Sequence, residues 1–534
     1  MRWSSIVICF LMCIAKVHAL ESEAPAASKP APTPADGKPP HFDILEYQIE
    51  GNSVLPAIEI ERAVYGFLGP GKTIADVEAA RAALEHAYQQ RGYLSVFVDI
   101  PEQNVDNGVV RLRASEGKVE KLRVSGNRYY SRGSIRSQVP SLAVGTVPEF
   151  PKVQEELARL NRNADKRVTP VLRPGTTPGT VEAELQVEDR SPLHGGIELN
   201  NRKSPNTEPL RLQGFLRYDN LWQREHSAAI QYLTSPQDTS QVKALSGTYV
   251  LPSPWDDDVI ALYGVHSNSN AAAIGGLTVL GKGDILGARY IMPLKPFTAL
   301  SHSLTWGVDY KQFDQSLGFA GGDPIVTPIS YVALSLQYAA TAIGKRGTTQ
   351  ATFSANFAPR GVFENNDAEF ENNRSGAHAN YIYLRGELSR EQTLAHGMSW
   401  YARLGGQVAS QPLINNEQFV AGGVDTVRGY LEAEQSGDDA FYGRFELRSP
   451  NFSGAKSWLN EWIVLAFLDA ASLHVQDALL GQTASFNLSS AGIGLHVKKQ
   501  PHLDASLDVA VPFESAQATR AGEPRVLFRV AYEF

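Results

Sequence analysis

From about residue 191 to Phe534 the chain keeps a period of two. Leu210, Leu212, Leu216 and Tyr218 stand against Arg211, Gln213, Arg217 and Asp219. Trp400, Ala402, Leu404 and Val408 stand against Tyr401, Arg403 and Gln407, and Val526, Phe528, Val530, Tyr532 and Phe534 against Arg525, Arg529 and Glu533. Successive side chains of a strand point to opposite faces. One face is therefore apolar, with aromatics near the strand ends, and the other is charged. A soluble sandwich or β-helix also alternates. The unbroken span and the aromatic-rich last strand favour a transmembrane antiparallel barrel with a polar lumen. A spanning strand needs ~10 residues. With short turns on one side and longer loops on the other, each strand takes about 21 residues, which predicts about 16 strands, an even number.

The amino terminus reads as a signal peptide over residues 1–19. Arg2 gives a positive start, Ile6 to Ile14 is apolar, and Val17-His18-Ala19 suits cleavage. Cys9 and Cys13 both lie here, so the mature chain has no thiol for disulfides, metal or nucleophilic catalysis. The net charge of −8 becomes more negative once Arg2 and Lys16 leave, which argues against nucleic-acid binding. After the signal, no apolar run reaches the length of a spanning helix. An exported chain of this kind is either soluble or a closed barrel.

Residues 20–41 are a Pro/Ala-rich linker that cannot bury a core. Residues 42–116 read as a small α/β domain: a strand from Phe42 to Ile49, a helix over Ile58–Phe67, and a second helix from Thr73. Ile74, Val77, Leu84 and Tyr88 share one helix face and Gly92 ends it. Leu94, Val96, Val98 and Ile100 form a strand, and Val110, Leu112 and Ala114 another after the Asn107-Gly108 turn. The pattern recurs over 117–190, with helices at Ser134–Val139 and Val153–Leu160 and strands at Val168–Leu172 and Val181–Val187. Two strand-helix-helix-strand-strand units mark an internal duplication.

Gly66 to Thr73 matches the phosphate-loop pattern G-x-x-x-x-G-K-[ST]. That motif needs a strand before it and free amides around the phosphate. Here a helix precedes it and Pro70 removes an amide, so the segment reads as a helix-helix turn with Thr73 as cap. The histidines are scattered without metal-ligand spacing, and G-x-S-x-G is absent. No enzyme, cofactor or metal site is predicted.

One loop stands out: Glu417 to Pro450 contains Val427-Arg428-Gly429-Tyr430. An arginine folded into a barrel lumen needs a charged partner, and Asp469 is a candidate in Phe467-Leu468-Asp469-Ala470-Ala471.

These features resemble the two-partner secretion transporters, the TpsB family, which shares a superfamily with the barrel-assembly protein BamA. The resemblance spans nearly the whole mature chain: two POTRA-like repeats, early barrel strands around Asp219–Pro236, the Val427–Tyr430 motif, and Phe467 with Asp469. Ala471 departs from the glycine usual in the wall motif. The resemblance implies an outer-membrane barrel over 191–534 in a Gram-negative bacterium, with periplasmic POTRA domains. It implies a loop around 417–440 folded inward, with Arg428 paired to Asp469, Gly429 allowing a tight turn and Tyr430 packing the tip. The client would be a TpsA-like exoprotein, bound by the POTRA domains and exported without nucleotide hydrolysis. Lipid surrounds the barrel, nucleic acid is no partner, and Phe534 is the carboxy-terminal signal to the barrel-assembly machinery. A barrel-insertion factor and a passive porin are the alternatives.

Overall fold

The computed structural model describes residues 41–534 except 106, 254–256, 269–270, 275–276, 281, 318–324, 363–364 and 455–456. The expected signal peptide and nearly all of the expected linker lie outside the described residues. The chain separates into two compact units. The first comprises residues up to Glu120 with Val144–Lys152 and Pro174–Val181; the second comprises Lys121–Ala143, Val153–Arg173 and Glu182–Phe534.

In the first unit, strand Val109–Glu116 pairs parallel with Glu46–Glu50 and antiparallel with Val96–Asp99. Val96, Val98, Val110, Leu112 and Ala114 put one face of this sheet into the core. Helix Ile74–Gln90 covers that face with Val77, Leu84 and Tyr88, all buried. Each such apolar side chain contributes ~1.5–3 kcal/mol. Ile74 and Leu94 differ from the expected pattern. Both are exposed, because Ile74 opens the first helical turn and the strand begins only at Val96.

The phosphate-loop look-alike is also different in detail. Gly69–Lys72 is a short strand on Phe42–Ile44 rather than a plain turn. The amide of Gly71 donates to the Asp43 carboxylate at 2.9 Å. The amide and hydroxyl of Thr73 both donate to Asp76 at 2.8 Å, starting the helix as a cap. A carboxylate thus sits among the amides that a phosphate would need.

The second repeat has helices Arg132–Ser137 and Phe150–Leu160, and strands Lys118–Ser125, Lys166–Pro174 and Thr180–Asp189. Its first helix starts earlier than the periodicity predicts, because Ser131 caps it by accepting from the Ser134 amide.

Sixteen antiparallel strands then close into a barrel. They are β1 (Leu193–Asn200), β2 (Arg211–Leu221), β3 (His226–Thr234), β4 (Lys243–Pro252), β5 (Val259–Ser267), β6 (Lys282–Pro293), β7 (Leu300–Leu317) and β8 (Ile325–Gly344). The remainder are β9 (Gly347–Phe357), β10 (Ile382–Thr393), β11 (Ser399–Ala409), β12 (Asp439–Arg448), β13 (Glu461–His474), β14 (Ser485–Lys499), β15 (Leu503–Pro512) and β16 (Arg525–Glu533). Each strand pairs with its sequence neighbours, and β16 closes on β1. That seam is short: Arg529–Glu533 pair with Gly196–Asn200. The alternation sets the faces. Leu212, Leu216, Leu404, Val408, Val526, Val530 and Tyr532 point outward, exposed. Gln407, Arg444, Asp469 and Asp508 point inward, buried.

At one end of the barrel the turns are short. The β2–β3 turn is held there by the rest of its own unit. Ser131 donates its amide to Gln223 at 2.8 Å, Gln138 donates to Glu225 at 2.8 Å, and Lys166 pairs with Glu225. The long loops, including 358–381 and 410–438, lie at the other end.

Candidate functional site in the barrel lumen

The 410–438 loop joins β11 to β12 and turns back into the barrel. Its stem is a two-stranded ribbon of Phe419–Ala421 with Gln435–Gly437. Its tip carries Val427, Arg428, Gly429 and Tyr430. Gly429 has φ +94°, and an added Cβ would lie 3.3 Å from the Ala510 Cβ. Both the conformation and the wall behind it require glycine.

Arg428 is 1 % exposed and Asp469 is fully buried. The Arg428 guanidinium donates Nε to Asp469 Oδ2 at 2.7 Å and Nη2 to Oδ1 at 2.9 Å, a bidentate pair. The backbone amide of Arg428 reaches the same carboxylate at 3.2 Å. A third guanidinium nitrogen meets Glu446 at 2.9 Å, and the Phe467 ring lies 3.5 Å from Cζ. Strand register assembles this set. Phe467 and Asp469 are two apart on β13, so both face the lumen. Glu446 and Arg444 of β12 lie directly opposite them. Arg444 and Arg448 also reach Glu446, at 3.3 and 2.7 Å. Buried charges are tolerated only when paired and hydrogen-bonded, and here each has more than one partner.

Tyr430 is buried and donates to the carbonyls of Glu514 and Ser489, at 2.9 and 3.1 Å. Val427, Tyr430, Tyr442, Ala471 and Leu473 share one buried cluster. Ala471, in the position where glycine is usual, therefore contributes its methyl to the packing beneath the loop.

Residues 42–117 match the POTRA domain of the ShlB type, and residues 330–497 match the haemolysin secretion/activation protein family ShlB/FhaC/HecB. The outer membrane transporter CdiB of Dickeya dadantii is 23 % identical over 78 % of this chain and 74 % of its own length. Both regions thus match those of the TpsB family of outer-membrane transporters. The heme/hemopexin transporter protein HuxB of Haemophilus influenzae is 21 % identical over 89 % of this chain and 84 % of its own. In fold, CdiB from Escherichia coli superposes with a TM-score of 0.63 at 19 % identity, covering 94 % of this chain and 92 % of that one. BamA from Haemophilus ducreyi lacking POTRA domains 1-3 superposes at 0.55 and 14 % identity, covering 92 % and all of that chain. As in TpsB proteins, the POTRA domain is periplasmic. The long-loop end of the barrel is therefore extracellular.

The inward loop has further anchors that the sequence did not reveal. Arg202, just after β1, holds Glu432 at 2.9 Å and also pairs with Asp425. Glu434 accepts from the amides of Ala518 and Thr519 at 2.9 and 2.8 Å and from the Thr519 hydroxyl at 2.6 Å. Asp438, fully buried, is held by Arg374 of the 358–381 loop through two hydrogen bonds, one of 2.5 Å and one of 2.7 Å. At the stem, Glu417 takes Lys311 at 2.6 Å and Tyr383 at 2.8 Å. Acidic residues spaced along a loop gave no signal of which walls they meet. A polar cavity of about 450 Å³ remains between the loop and the inner wall, lined among others by Gln213, Arg289, Asp309, Asn356, Arg385 and Arg403. Arg289 pairs with Asp309 at 2.6 Å, and Arg385 donates to the Glu417 carbonyl at 3.2 Å. At the carboxy terminus, Phe534 exchanges backbone hydrogen bonds with Gly195 and exposes its ring.

Proposed function

We propose that this transporter is a pore for one large secreted exoprotein, which docks on the POTRA domains, threads the lumen and folds outside. The observation that supports it best is the inward loop. It fills the lumen yet hangs from discrete buried contacts, Arg428 with Asp469 foremost, so passage can be regulated by the loop while the wall stays intact. Docking would use strand addition. In the first POTRA sheet Glu46–Glu50 and Val96–Asp99 are the outer strands. Export would need no nucleotide, since folding beyond the membrane makes the movement one-way. The amides of the phosphate-loop look-alike are already committed to Asp43 and Asp76. No catalytic step is part of this reading. Phe534 would address the chain to the assembly machinery.

Deleting the chain should remove one large protein from the medium. Arg428→Ala should lower its release while the barrel inserts normally. Normal release by a correctly inserted variant would overturn the role given to Arg428. A second reading, a factor that inserts other barrels, draws on the short β16–β1 seam. It predicts depletion of other outer-membrane barrels on deletion, with the medium unchanged.

A further inference from the structure

The hairpin β7–β8 rises above its neighbour. β8 pairs with β7 up to Ile325, but with β9 only from Leu334. Among the described residues, the β9-side edge of Ile325–Ala333 is therefore without a strand partner. Such an edge is a template for strand addition and is normally covered. Here the cover is the 358–381 loop with its helix Asp367–Asn373. Its contacts to the edge are made by side chains, not by backbone pairing. Asn365 accepts from the Val332 amide at 2.8 Å and donates to the Val332 carbonyl at 3.0 Å, imitating a strand rung. Glu369 accepts from the Ser330 amide at 3.1 Å. Phe370 fills the space beneath, its ring 5.3 Å from Tyr331.

We propose that this edge, around Ser330 and Val332, receives an extended segment of the exported chain as it leaves the lumen, after the helix is displaced. This rests on the export reading above. Three observations single out that occupant. The inward side chains of the same stretch, Ile329, Tyr331 and Ala333, belong to one buried cluster with Leu233 and Ile285. Leu233 and Ile285 also line the lumen cavity, so this cluster is continuous with the cavity wall. The cluster is apolar and borders a polar cavity, and it suits the alternate apolar side chains of an incoming strand. The cover is also of a removable kind, since a helix of this length has no stability of its own. Pro328 lacks an amide and limits the addable rungs to those below it, at Ser330 and Val332. The added strand would take over the hydrogen bonds that Asn365 and Glu369 now make and would give the emerging chain its first β-pairing outside the membrane.

The test compares two variants that break the same hydrogen bond from opposite sides. Ser330→Pro removes the edge amide, whereas Glu369→Ala removes only the cover's carboxylate. The β7 ladder uses the alternate residues of β8, so Ser330→Pro leaves it whole. The readout is the protease-resistant amount of the exoprotein whose release depends on the chain, in cells producing the full-length variant. Release should fall several-fold in Ser330→Pro and stay at or above the native level in Glu369→Ala. Equal release by the two variants, high or low, would overturn the proposal and leave the helix as an edge cover only. If Ser330→Pro fails to insert, judged by heat-modified gel mobility, a photo-cross-linking residue at Pro328 replaces it. Capture of the exoprotein in transit supports the proposal, and absence of capture overturns it. If no released protein depends on the chain at all, the export reading itself fails.

Discussion

Replacing Arg428 with Met strips two side-chain donors from the Asp469 carboxylate, which is fully buried. The nearest remaining cation is Arg444, 3.6 Å away and not well aligned. Breaking a buried pair from one side costs ~3–5 kcal/mol. Arg444 offsets part of this, which places the change near the lower end, ~3 kcal/mol, or about a hundredfold in the balance between docked and released loop. Asp469→Leu should cost a similar amount, because Arg428 then keeps only Glu446 at 2.9 Å. The double variant differs in kind. Met and Leu beside Phe467 form an apolar contact, and Glu446 retains Arg444 and Arg448. Apolar replacement of a whole buried pair is often near neutral, so against two singles of ~3 kcal/mol each the coupling energy should approach ~6 kcal/mol in favour of the double. Thermal unfolding of the full chain in detergent, with protease cleavage of the 410–438 loop as local readout, measures the cycle. A double variant as unstable as the two singles summed would refute the reasoning, since it would mean the residues act independently.

Other outcomes follow from the same structure. Arg374→Met removes the bidentate partner of Asp438 and should raise hydrogen exchange across 358–381 well before the barrel opens. Lys166 is fully buried at its side chain, against Glu225 and 5.1 Å from the Tyr130 ring, and burial pushes its amine below the ordinary value. Lys166→Met leaves Glu225 with Gln138 and should cost roughly 1–3 kcal/mol, visible as easier proteolysis between residues 182 and 193. Glu120 is held at about 2 by the Thr176 and Thr180 hydroxyls and the Thr177 amide, against an ordinary 4.5. Its folded value is depressed, so its contribution is complete above 4.5 and is lost as pH falls towards 2. Hydrogen exchange across 174–181 should quicken over that window, and Glu120→Gln should flatten the dependence.

Much of this was legible in the residues. Period-two alternation is a direct record of which side chains meet lipid, and it specified the barrel class and its approximate strand number. A buried arginine demands an acid, and the resemblance of Phe467–Ala471 to the family's wall motif implied that the acid is Asp469. Glu446 could not be foreseen, since its place opposite Phe467 depends on the β12–β13 register. The helix Asp367–Asn373 was illegible for another reason. Its sequence, Asp-Ala-Glu-Phe-Glu-Asn-Asn, has a single large apolar residue and no period to read. It exists because Phe370 has a pocket and Glu369 a strand edge, both supplied by distant residues. Gly69–Lys72 became a strand against its composition, because Phe42–Ile44 lay ready to pair with it.

The anchors of the inward loop have a consequence for how the molecule is made. Arg202 follows the first strand of the ring and Thr519 precedes the last, and the loop grips both through Glu432 and Glu434. During synthesis these two residues come far apart in time. The grip cannot form until the final strand arrives beside the first. A barrel caught half-finished therefore has its loop unseated, and completion of the ring and arming of its centre become a single late event. Any change that weakens the Arg202 or Glu434 contacts should show first as slow maturation, long before the finished protein looks unstable.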